Sequence, residues 1–132
     1  MALTFTHEKL GALRTVTATW TSDSSGDATA TTTEVVSGTL VKAITNPTDG
    51  PTANYDIVIT DDQSFNVLTN TDDDLLNRHT TTTEEVYFLV LDKAGTPLAQ
   101  SIQPVTNSVL TFTVSNAGAT KSGVVILFYR NA

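Results

Sequence analysis

The chain has 132 residues, a net charge of −7 and no cysteine, so it suits one domain without disulfides or thiolate metal ligands. Seven Lys and Arg stand against 14 Asp and Glu, and no two basic residues are adjacent, which argues against a phosphate-neutralising face and hence against nucleic-acid binding. About one residue in five is threonine, whose branched Cβ suits a strand facing water, and sustained helical periodicity is missing; the composition predicts an all-β protein.

The first ten residues lack the basic and apolar regions of a signal peptide, and no apolar run approaches the roughly 20 residues of a membrane span. The expectation is synthesis in the cytoplasm, no signal-dependent export and no membrane partner. Leu3, Phe5, Leu10 and Leu13 make the start mildly apolar, so residues 1–13 are expected to form an arm that orders on docking. Residues 14–21 alternate, with Val16, Ala18 and Trp20 on one face and threonines on the other, as in a half-buried antiparallel strand. A turn over 22–27 follows, built on Asp23, serines and Gly26. Residues 28–45 are too long for one uninterrupted strand, and Ser37-Gly38 predicts a bulge; Leu40, Lys42 and Ile44 then share one face, with Val41 and Ala43 on the other.

Two prolines and a glycine predict a loop over 46–52. Residues 55–60 read as a strand with Tyr55, Ile57 and Ile59 inward, residues 61–64 as a turn, and 65–68 as a short edge pairing. One short helix is expected near residues 72–78, capped by Thr71, with Asp72, Asp73 and Asp74 at the positive end of its dipole. Residues 83–91 form the strongest predicted strand. Val86, Phe88 and Val90 alternate with Tyr87, Leu89 and Leu91, so both faces are apolar and one is available to a partner. A turn over 92–97 follows. Residues 109–115 and 123–129 are expected to pair as a closing hairpin around a glycine-bearing connection. Six to eight strands at this spacing predict an antiparallel β-sandwich, jelly-roll-like, as one domain over 1–132.

The chemistry is sparse. No nucleophile elbow or phosphate loop is present, and Glu84 and Glu85, neighbours on a strand, point to opposite faces and cannot share a substrate, so no enzyme activity and no cofactor are expected. Asp61, Asp62, Asp72 and Asp74 are hard oxygen ligands of the kind calcium takes, but their spacing does not match the twelve-residue calcium loop, and helix capping accounts for the second pair. The acidic segment from Asp49 to Glu85, with Arg78 as its single cation, serves as a solvated rim or as a surface for a basic partner. Leu3, Phe5, Leu10, Tyr87 and Leu89 are the candidate partner-interface residues.

Three segments carry a resemblance: Asn46-Pro47 with the run from Asn54 to Asp61, then Asn66-Val67-Leu68, and finally the run from Val114 to Val125. Together they resemble small structural proteins of tailed bacteriophages, in particular those that decorate or cement the capsid. The resemblance is one of pattern over most of residues 46–130, and it implies a β-sandwich virion subunit on the outer surface of the shell. It further implies a homotrimer bound to the major capsid protein, with no active site to transfer. Tail, head–tail adaptor and baseplate subunits share this composition. A carbohydrate- or host-binding sandwich is the other alternative, with loops 61–66 and 70–80 as its binding end and Phe65 as its one aromatic.

Overall fold

The computed structural model describes residues 2–52, 54–67, 75–88 and 104–131. Among them nine strands form: β1 (Ala2–Leu10), β2 (Leu13–Thr21), β3 (Ala28–Thr31), β4 (Val36–Asp49), β5 (Asp56–Thr60), β6 (Glu84–Tyr87), β7 (Val105–Ser108), β8 (Thr111–Ser115) and β9 (Ser122–Arg130). The large sheet runs β1-β2-β9-β4-β6, with β7 also on β4, and the small sheet runs β3-β8-β5. Every pairing is antiparallel.

The pairings nest. β2 pairs with β9, β3 with β8, and β4 with β7. The chain is therefore one long ribbon folded back on itself and then wrapped, crossing between sheets at each step from β2 to β5. That is the jelly-roll path, and the expected all-β, jelly-roll-like sandwich is what forms. Inward positions of both sheets close the core: Val16, Ala18 and Trp20 from β2, Val125, Leu127 and Tyr129 from β9, Ile57 and Ile59 from β5, and Phe112 and Val114 from β8. Trp20 meets Tyr55 with ring centroids 5.4 Å apart, and Phe5 packs edge-on to Phe112 at 5.3 Å.

Several expectations are corrected. The closing hairpin does not form: β8 lies between β3 and β5 in the small sheet, β9 between β2 and β4 in the large one. The residues between them climb from one sheet to the other, with positive φ at Asn116, Gly118 and Thr120 and a buried Ala117. Face-to-face placement puts Phe112 and Val114 of one sheet and Val125 and Leu127 of the other into the same buried core. In β4 the ladder skips Val41: Leu40 faces Tyr129 and Lys42 faces Phe128. This bulge resets the alternation, so Leu40, Ala43 and Thr45 are buried while Lys42 and Ile44 lie outward. Leu40 thus does not share a face with Lys42.

The loop expected over 46–52 starts late, because β4 continues through Pro47 to Asp49. Pro47 sits beyond the last residue paired with β6, next to a second register shift, so no neighbouring strand needs its missing N–H. Of the expected helix, residues 72–74 lie outside the described residues and 75–78 are not helical. The Ile57 N–H donates to the Leu75 carbonyl (3.0 Å) and the Arg78 N–H to the Tyr55 carbonyl (2.7 Å), so this segment covers the outer edge of β5. The arm expected over 1–13 is, over residues 2–10, a strand paired with β2 at every position. The predicted strand over 83–91 is β6 as far as Tyr87, and Phe88 follows, buried; residues 89–91 and the turn over 92–97 lie outside the described residues.

Candidate functional site

Two sheet faces point away from the core, and their chemistry differs. On the small sheet, Thr29 and Thr31 of β3 stand opposite Thr113 and Thr111 of β8, which stand opposite Val58 and Thr60 of β5. The threonine hydroxyls pair with one another, Thr29 with Thr113 at 3.1 Å and Thr31 with Thr111 at 2.8 Å. This face largely satisfies itself.

The outer face of the large sheet is built in three cross-strand rows. Thr15, Phe128, Lys42 and Tyr87 form one, running across β2, β9, β4 and β6. Thr17, Ile126, Ile44 and Glu85 form the next, and Thr19, Val124 and Asn46 the third. Val124, Ile126, Phe128 and Ile44 make a contiguous half-buried aliphatic and aromatic strip, with threonines on one flank and a charged pair on the other. Single exposed apolar residues are ordinary, whereas a contiguous strip with a polar margin marks a contact surface.

The charged flank is organised by Lys42, which the bulge turns outward. Its Nζ lies 4.9 Å from the Phe128 ring centroid, 5.5 Å from that of Tyr87 and 2.6 Å from Glu85 Oε1. The hydrogen bond with Glu85 holds the lysine above its ordinary pKa and the Glu85 carboxyl below its own. Glu85 also holds the Tyr87 hydroxyl above its usual value. The cation therefore props two aromatic rings in a fixed arrangement on an exposed face. Tyr87 remains 63% exposed.

The sequence-predicted residues disperse. Tyr87 belongs to this face. Leu3 and Phe5 are half-buried on the inner side of β1, packed against the core, and Leu10 is 83% exposed at the β1–β2 turn. Leu89, Asp72 and Asp74 lie outside the described residues. The Asp61 Oδ1 accepts the N–H groups of Gln63 and Phe65, both at 2.9 Å, so this carboxylate builds the turn that carries the exposed Phe65. The Asp62 N–H donates to Ser108 Oγ (3.0 Å). Among the described residues no three His, Cys, Asp or Glu side chains converge as a metal site would require. Glu84 and Glu85 part: Glu84 Oε1 accepts the His79 N–H (2.6 Å), while Glu85 is on the outer face.

Ile44, Val124, Ile126 and Phe128 are the apolar residues of this face that sequence reasoning missed. The unbroken apolar run from Val124 to Tyr129 carried the signal, since a strand apolar at every position is apolar on both faces. Compared with protein-family models, curated proteins and solved structures, the chain matches none.

Proposed function

We propose that this chain is a non-enzymatic structural subunit of a phage-type virion, a capsid-decorating protein that binds the major capsid protein through the outer face of its large sheet. One observation carries the reading: the apolar strip of Ile44, Val124, Ile126 and Phe128, set against a small-sheet face whose threonines pair among themselves. A subunit that works by surface contact needs a rigid frame, and the jelly-roll supplies one by pairing strands far apart in sequence, β2 against β9, inside the large sheet. The resemblance to cement proteins over most of residues 46–130 supports the same reading.

Capsid sedimentation with purified chain tests this. Ile126→Lys and Phe128→Ser place polar groups in the strip without touching the inward row, so melting should stay within a few degrees while capsid binding weakens at least about tenfold. Binding unchanged by both substitutions rejects the face, and no binding by the parent chain rejects the decorating role. Copy number in virions separates the neighbouring reading: hundreds per particle fit decoration, while six or twelve fit a tail or adaptor subunit.

A further inference from the structure

The large sheet ends in β1, and this edge is treated unlike the far edge of the small sheet. Along β5 the outer side is capped locally: the Val67 N–H donates to the Ile59 carbonyl (3.0 Å), Ile57 to Leu75 and Arg78 to Tyr55, while Asp61 donates to Phe65 (2.9 Å). The free side of β1 pairs with no strand among the described residues. β1 is also long, nine residues paired in unbroken register with β2, whereas β3, β6 and β7 have four each. Edges are normally protected by proline, charge, a bulge or brevity. Between Ala2 and His7 there is no proline, no glycine, no acidic or basic residue other than the terminal histidine, and no register shift.

From this edge we infer that two copies of the chain associate by antiparallel pairing of β1 with β1, joining their large sheets into one. A two-fold axis perpendicular to the sheet keeps outer residues opposite outer residues, so paired residue numbers must sum to an even value. The register centred on Thr6 engages the whole strand: Thr6 meets its own copy, Phe5 meets His7, Thr4 meets Glu8, Leu3 meets Lys9 and Ala2 meets Leu10. Glu8 and Lys9 each face a neutral side chain, so no like charges oppose one another. The pairing also brings the 83%-exposed Leu10 across to the start of the second copy's β1. One strand pair is smaller than a standard interface, so the dimer dissociates on dilution. The contact is isologous, which builds even-numbered assemblies and does not close the trimer implied by the resemblance. It stands on the sheet alone and is independent of the capsid reading.

The absence of cysteine makes the test clean. Residues directly opposite in an antiparallel pair have Cα atoms about 4.5–5.5 Å apart, inside the range a disulfide spans. Thr6→Cys, exposed on the outer row, should cross-link to a covalent dimer under mild oxidation, and Thr4→Cys, whose two copies lie about 14 Å apart in this register, should not. Light scattering of the parent chain over a concentration series should move from monomer to dimer mass, and Thr6→Lys should raise the midpoint at least about tenfold by opposing two ammonium groups. A monomer throughout, a trimer, or cross-linking at Thr4 equal to that at Thr6 overturns the proposal. Melting of each variant under reducing conditions confirms that the fold is intact.

Discussion

Asp56 ties two loops to one strand. Its Oδ1 accepts the Asn77 N–H at 2.9 Å and its Oδ2 accepts the Asn116 Nδ2 at 2.7 Å, so the segment covering β5 and the crossover into β9 share one carboxylate. Asp56→Ala removes both acceptors and should destabilise the fold by about 1–3 kcal/mol in urea unfolding, while Asp56→Asn, which keeps one oxygen, should lose less. Asp23 does a similar task in the 22–27 turn, which is bonded to the same crossover through the Ala117 N–H on the Gly26 carbonyl (3.0 Å); its Oδ1 accepts the N–H groups of Ser25 (2.8 Å) and Asp27 (3.1 Å). Those bonds, the one from Asp27 first, hold its carboxyl below the usual carboxylate range. A depressed acid contributes stability that is present above its unfolded value, near 3.8, and lost as pH falls through the folded one. Thermal melts of the parent and Asp23→Ala should therefore differ most near neutral pH and converge as the pH drops below that value. A gap that stays constant down to the acid limit would remove Asp23 from the acid response.

At the scale of elements, β9 is the centre of the large sheet, and one glycine lets it sit there. Gly123 faces Trp20, and a Cβ at this position would lie 2.6 Å from Trp20 Cζ2 with the Asn46 carbonyl 3.0 Å away. The indole is fully buried and cannot swing aside, so Gly123→Ala should cost about 1–3 kcal/mol by overpacking, read as a lowered denaturant midpoint at unchanged slope. The same contact shows what was legible beforehand. The inward row of β2 could be read directly because Val16, Ala18 and Trp20 alternate without interruption, and Tyr55, Ile57 and Ile59 could be read likewise. The phase of β4 could not, since a bulge at Val41 changes which residues point inward and no residue type announces it. Partner choice was equally hidden: residues 109–115 and 122–130 are adjacent in sequence, yet each finds its mates among strands that alternation alone cannot rank. The apolar outer face follows from both, for Ile44 joins Val124, Ile126 and Phe128 only after the bulge and the β4–β9 pairing are in place. Tyr87 was the exception, visible from its own strand.

For the molecule as a whole, the nested path sets how it must fold. The pair that closes the ribbon, β2 with β9, joins Thr21 to Ser122, and the next, β3 with β8, joins Ala28 to Val114. Such pairings close long loops before any contact compensates the lost chain entropy, so folding is slow for a domain of this size. Refolding from urea by stopped-flow fluorescence, with the buried Trp20 as reporter, should take milliseconds to seconds. The order of events can be separated by position. Phe112 lies in β8, held between β3 and β5, and its inward ring sits where the two sheets meet. Phe5 rests on Phe112 from β1, whose one strand partner among the described residues is β2, so it can dock only after the sandwich beneath it exists. Phe112→Leu should therefore slow folding, whereas Phe5→Leu should leave the folding rate nearly unchanged and speed unfolding. Equal slowing by the two substitutions would mean that β1 is already in place at the transition state, and that the strand at the open edge is part of the nucleus that organises the roll.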